Sequence, residues 1–167
     1  RQEIRYGLIV ERGVKRRAIV KFSKPEIERG RRMLVVGSQY WAKFPDSKRV
    51  HFISRKEVIG NSVFQLVDLF QMDIEKDYDF NREKSGIPCR EKRKCHKIVL
   101  KAKHDDAPYA KVDYYIDVIN HMPRSADFYG ISGKKLKTLK VISTAVLVGQ
   151  ERPKTFEMID QVTKGRK

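Results

Sequence analysis

The stretch Met33-Leu34-Val35-Val36-Gly37-Ser38-Gln39-Tyr40-Trp41-Ala42-Lys43-Phe44-Pro45-Asp46-Ser47 decides the fold class. Met33 to Val36 is an apolar, partly β-branched run that turns at Gly37 and Ser38 into Tyr40 to Phe44, and Pro45, Asp46 and Ser47 then turn that run into Val50 to Ser54. Two turns this close together leave room only for short antiparallel strands.

The same punctuation continues outward in both directions. Ile4 to Glu11 turns at Gly13 into Ala18 to Ser23. Lys97 to Lys103 sets Ile98, Leu100 and Ala102 against Lys97, Lys101 and Lys103, with Val99 the exception, and the loop His104 to Pro108 leads on to Val112 to Val118. Phe128 and Tyr129 turn at Ser132 and Gly133 into Leu136 to Val148, a strand long enough to bend, and Phe156 to Val162 closes the chain. Short strands with turn residues at intervals of about ten residues form the pattern of an antiparallel sandwich or barrel.

Lys56 to Met72 is the exception. Asn61 or Ser62 can N-cap a helix in which Val63, Leu66, Val67 and Phe70 fall on one face. Such a stripe must be buried, either as a lid over the concave side of a curved sheet or as an ordinary core-packing helix. Strand parity gives the sheet an apolar side: Ile4, Tyr6, Leu8 and Val10 share a face on the first strand, and Ala18, Val20 and Phe22 share one on the second. A concavity lined this way is filled by side chains or holds an apolar ligand, and the 8 Phe, 7 Tyr and 1 Trp count against complete filling.

The 167 residues fit one domain, and the 40% hydrophobic content excludes a disordered chain. No run approaches the ~20 apolar residues of a membrane-spanning helix. Lys and Arg number 37 against 21 Asp and Glu, for a formal net charge of +16. That charge invites a nucleic-acid reading, yet no finger spacing, basic zipper, GXXG clamp or RNP-like strand accompanies it. The charges are spread over Lys15 to Arg17, Arg29 to Arg32, Lys48 and Arg49, Arg90 to Lys94, Lys134 to Lys140 and Lys164 to Lys167, mostly in predicted turns. Solvated hairpin ends account for them, and an anionic lipid surface is the alternative partner. No nucleic acid is expected.

Cys89 and Cys95 are the only cysteines. They either close a short loop by a disulfide or remain two thiols, and their spacing with His96 does not make a zinc site. No G-x-S-x-G nucleophile elbow occurs. His104-Asp105-Asp106 is the one cluster with acid, base or cation-binding chemistry, with Asp105 and Asp106 as weak metal candidates, and a polar hairpin loop is its plainer reading. A lipid-hydrolysing enzyme built on the same cavity is the alternative function, and a basic nucleic-acid-binding domain the next. No cofactor is implied. The chain opens on Arg1 and Gln2 inside a strand, without an initiator Met, so a segment of N-terminal structure is expected to precede it.

Five stretches, in order, resemble the bacterial outer-membrane lipoprotein-sorting proteins of the LolA/LolB-like superfamily. Gly30 to Leu34 with Gln39 to Pro45 is similar to a G-x-K/R-x-L and Y-W-x-Y-x-P pattern, and Val58 to Phe64 with Val67-Asp68-Leu69 to an M-G-S-x-F-S-Y-E-D-L segment. His104 to Lys111 with Tyr115-Ile116-Asp117, then Tyr129 with Ser132-Gly133-Lys134 and Leu136-Lys137, then Arg152 to Thr155, follow the family's later motifs, with Tyr115 standing where the family has Trp. The resemblance spans Pro25 to Asp160. It implies a mainly β, half-open antiparallel barrel over residues 1–167, short helices over a concave apolar face, and a first helix before Arg1. The function it implies is a periplasmic carrier or acceptor of lipoprotein or phospholipid acyl chains at an anionic membrane surface, possessing a lipidated N-terminus outside this chain. Candidate cavity residues are Tyr6, Leu8, Val20, Phe22, Met33, Leu34, Tyr40, Trp41, Phe44, Phe64, Leu66, Leu69, Phe70 and Tyr115, with core packing the alternative role for each.

Overall fold

A computed structural model of the chain describes residues 5–11, 17–37, 39–59, 64–70, 74–89, 93–147 and 149–162. Strand accounts for 62% and helix for 8% of the described residues. The chain divides into two compact units, Arg1–Met72 and Asp73–Lys167.

The first unit holds a five-stranded antiparallel sheet of β1 (Arg5–Glu11), β2 (Arg17–Lys24), β3 (Arg32–Val36), β4 (Gln39–Lys43) and β5 (Val50–Ile53), in that spatial order. The β3–β4 hairpin read from sequence is present in register, with Met33 opposite Ala42 and Leu34 opposite Trp41. Gly37 carries its turn at φ +58°, a conformation that costs a residue with Cβ far more. Gly30, at φ +81°, lets the loop before β3 close on Pro45, whose Cγ would lie 3.2 Å from an added Cβ.

Alternation decides this unit's core. Ala18, Val20 and Phe22 of β2, Met33 and Val35 of β3, Tyr40 and Ala42 of β4 and Ile53 of β5 form one buried cluster with Ile59 and Leu66, and Phe64 packs against it. Within the segment Lys56–Met72, where a helix capped at Asn61 or Ser62 is predicted, the described helix is α1 (Leu66–Phe70), and α2 (Ile74–Asp77) follows in the second unit. Asn61, Ser62 and Val63 lie outside the described residues. The amides of Leu66 and Val67 donate to the Glu57 and Arg55 carbonyls at 2.9 and 3.0 Å, and the Gln65 amide donates to the Asp68 carboxylate at 2.8 Å. A five-residue helix is not stable alone; here the buried Leu66 and Val67 hold it.

The second unit is a six-stranded antiparallel sheet of β6 (Tyr78–Pro88), β7 (Lys94–Ala102), β8 (Lys111–Asp117), β9 (Pro123–Tyr129), β10 (Lys135–Leu147) and β11 (Gln150–Asp160), again in chain order. The long strand predicted at Leu136–Val148 is β10, and its ladder with β11 slips between Val141 and Thr144, the irregularity that a bend needs. Two antiparallel sheets, rather than one closed barrel, thus carry the described strands.

Candidate functional site

The register of the second sheet sorts its residues cleanly by face. Ile98 pairs with Tyr114, Tyr114 with Ala126, Ala126 with Leu139 and Leu139 with Met158, so one apolar row crosses five strands. The neighbouring row runs through Leu100, Val112 and Phe128. This second row is fully buried, and the Tyr109 ring lies 4.6 Å from that of Phe128. In the first row Ile98, Tyr114, Leu139 and Met158 are only half-buried, around a fully buried Ala126. An apolar sheet face closed at one row and half-open at the next is a surface shaped to take more apolar atoms.

The opposite face is ionic. Asp113, buried, accepts a hydrogen bond from the Tyr129 hydroxyl at 3.2 Å and pairs with Lys97 at 3.3 Å and Lys111 at 3.2 Å. Lys97 also reaches Glu83 at 2.6 Å. That hydrogen bond is the main reason the Lys97 ammonium is held above the usual lysine range, against the cost of its burial. Desolvation first, and then the charges of Asp113 and Asp127, push the Tyr129 phenol up to about 12. Asp127 is in turn held by Lys135 at 2.9 Å and by the Thr138 hydroxyl at 2.7 Å.

At the β8–β9 turn, buried Asp117 accepts from Arg124 Nε and Nη2 at 3.2 and 3.1 Å, from Arg93 at 3.1 Å and from the Ile119 amide at 2.9 Å. Burial raises its pKa, but the Ile119 and Asn120 amides together with Arg93 and Arg124 outweigh that, and the carboxyl is held below the usual aspartate range.

The residues singled out from sequence fall into separate places. Val20, Phe22, Met33, Tyr40 and Leu66 meet in the closed core of the first sheet, and Phe64 packs against it. Leu34 and Trp41, each one position further along its strand, stand on that sheet's other face, with a groove of about 340 Å³ lined by Ile19, Leu34, Trp41, Val50, Arg32, Lys43 and Met33. Phe44 is partly exposed, with the Arg31 guanidinium 4.8 Å above its ring. Arg31 itself is buried and paired with Glu28 and Glu57. Tyr115 belongs to the second sheet and lies on its ionic face between Lys97 and Ser125. Tyr6 and Leu8 are in β1 and Leu69 and Phe70 in α1, and their side chains lie outside the described part of the chain.

Asp105 and Asp106 are exposed in the turn after β7, and His104 turns instead toward the buried Asp77, 3.3 Å away. No group of three or more His, Cys, Asp or Glu among the described residues is arranged to hold a metal ion. Cys89 and Cys95 are joined in a disulfide with Cα atoms 5.8 Å apart, tying β6 to β7.

Sequence reading passed over Ile98, Tyr114, Leu139 and Met158 as a set. The alternation of Lys97 to Lys103 already placed Ile98 on an apolar face, and the signal for the others was the same parity carried through β8, β10 and β11.

A family model described as an uncharacterized protein matches residues 14–167. No curated protein matches the chain by sequence. Among solved structures, a candidate outer membrane lipoprotein-sorting protein domain from Vibrio parahaemolyticus superposes with a TM-score of 0.82 at 22% identity, covering 97% of this chain and 72% of that one. A LolA superfamily protein from Nitrosomonas europaea gives 0.71 at 23% identity, over 89% and 66%. A DUF1329 family protein from Desulfovibrio piger gives 0.78 at 16% identity, over 93% and 68%. The chain thus spans about two thirds of the length of these structures. At such identities the likeness is one of fold. The chain therefore belongs to the family whose model it matches over residues 14–167, and its fold is that of the LolA superfamily.

Proposed function

We propose that the protein binds acyl chains of lipoproteins or phospholipids on the apolar face of its six-stranded sheet and serves lipid or lipoprotein trafficking to the outer membrane. The observation that carries this reading is the half-buried row Ile98, Tyr114, Leu139 and Met158 beside the closed row Leu100, Val112 and Phe128. Each methylene that leaves water for such a face contributes about 0.8 kcal/mol, so holding strengthens with every methylene buried and with a second chain. Release then needs a competing apolar surface, which makes the step an exchange. The likeness to the Vibrio structure, described as an outer membrane lipoprotein-sorting protein domain, supports this choice of cargo.

Two further features fit the setting. The Cys89–Cys95 disulfide suits an oxidising compartment such as the periplasm. The net charge of +16 draws the protein toward anionic headgroups. The test is a titration of the full chain with a hydrophobic fluorescent probe followed by displacement with phospholipid or a lipidated peptide. Saturable binding with displacement is the expected result, and absence of saturable probe binding overturns the proposal. Mass spectrometry of organic extracts from the purified protein would identify the cargo.

A further inference from the structure

The five-stranded sheet carries a second apolar row, on the face opposite its core. Ile19 pairs with Leu34, Leu34 with Trp41 and Trp41 with Phe52, so four side chains stand side by side across β2 to β5. Ile19, Leu34 and Phe52 are open to solvent by 51%, 40% and 68%, and Trp41 between them is half-buried, its ring meeting that of Phe52 edge to face at 5.9 Å. Two residues further along each strand, and therefore about 7 Å away, lies a parallel row of exposed cations: Lys21 pairs with Arg32 and Arg32 with Lys43. The outward positions of β2 to β5 include no acidic residue.

An apolar row alone would fit many occupants, but the cation row narrows the choice. A second copy of the chain would bring two such cation rows together across a twofold axis, at a Coulombic cost. A nucleic acid would satisfy the cations and leave the aliphatic row in water. An anionic bilayer satisfies both: aliphatic and aromatic side chains enter the boundary between headgroups and acyl chains, Trp is suited to that depth, and Lys and Arg stems reach back to the phosphates. We infer that this outward face of the five-stranded sheet docks the protein on an anionic membrane surface, with Ile19, Leu34, Trp41 and Phe52 inserted and Lys21, Arg32 and Lys43 on the headgroups. The inference takes its setting from the lipid-carrier reading but uses a different sheet.

Trp41 is the only Trp in the chain, so its emission reports on this face directly. The full chain is mixed with vesicles of phosphatidylcholine alone or of phosphatidylcholine with phosphatidylglycerol, at low and at physiological salt. A blue shift and protection from an aqueous quencher are expected with the anionic vesicles, weakening as salt rises. Changing Lys21→Gln, Arg32→Gln and Lys43→Gln together should weaken vesicle binding about 100-fold, at roughly fivefold per cation. A control with the same loss of charge at exposed positions elsewhere, Lys84→Gln, Lys94→Gln and Lys154→Gln, should weaken it less than about fivefold. Leu34→Ser with Phe52→Ser should abolish the shift while circular dichroism stays unchanged.

No shift with anionic vesicles, equal losses in the two charge variants, or a vesicle-independent dimer that Leu34→Ser dissolves would each overturn the inference. Probe binding is measured on the same samples. Protein that takes probe yet ignores vesicles overturns docking alone, and protein that docks yet takes no probe overturns the carrier reading alone.

Discussion

The two sheets distribute their apolar residues in opposite ways. The five-stranded sheet closes one face completely, around Val20, Phe22, Met33 and Ala42, and still carries apolar side chains on the other. The six-stranded sheet has an ionic network around Asp113 on one side and an apolar face on the other that is buried at Leu100, Val112 and Phe128 and half-open at Ile98, Leu139 and Met158. Strand parity therefore sets neighbouring residues such as Met33 and Leu34, or Tyr114 and Tyr115, on opposite faces. Burial marks those that hold the fold.

The strongest test of that separation compares two phenylalanines of the first sheet. Phe22→Ala empties a fully buried site and should cost about 3–5 kcal/mol, whereas Phe52→Ala, at a position 68% exposed, should cost less than about 0.5 kcal/mol. Urea unfolding measures both, and similar losses would erase the distinction between the faces.

In the second sheet, Asp117→Ala leaves the buried Arg124 without its carboxylate and should cost about 3 kcal/mol. Because the folded pKa of Asp117 lies below its unfolded value, its stabilisation is present above the unfolded pKa of about 3.9 and is lost as pH falls through the folded one. Acid unfolding should accordingly be less steep in Asp117→Asn than in the wild type. A parallel slope would remove Asp117 as a source of acid sensitivity.

The contrast between the two faces of β8 and β10 has a smaller reading. Leu139→Asp, on the half-open apolar row, should lower probe affinity about tenfold, or roughly 1.4 kcal/mol. Tyr115→Ser, on the ionic face, should leave it within about twofold. Equal effects would mean that the row is not the binding surface. The smallest effect concerns Tyr129, whose pKa is pushed up to about 12 in the folded protein from the ordinary tyrosine value of about 10. Its contribution is complete below pH 10 and is lost as pH rises toward about 12, so Tyr129→Phe should flatten the alkaline stability slope in urea titrations.

The strands legible in the sequence were those in which parity and turn chemistry agree, such as Met33–Val36, Tyr40–Phe44 and Lys97–Lys103. β6 was invisible because Asp79, Asn81, Arg82, Glu83 and Lys84 give an exposed edge strand no apolar rhythm. β9 was legible only at Phe128 and Tyr129, since Arg124 stands where the alternation calls for an apolar residue, and it is buried only because Asp117 meets it. The same limit applied to the candidate site. Tyr40 and Trp41 looked alike in sequence, yet their alternation sends one to the core and the other to the opposite, half-buried face, and no composition signal weighs against that geometry.

Strand order equals chain order in both sheets. Each strand emerging from a ribosome or a translocation channel therefore meets, as its next neighbour, the strand made just before it. Loops closed this way are short, their ordering entropy is small, and pairing proceeds by successive addition of hairpins, without waiting for a distant segment. For a chain this rich in β-structure, that connectivity limits the time during which unpaired edges and apolar rows stand open to other chains.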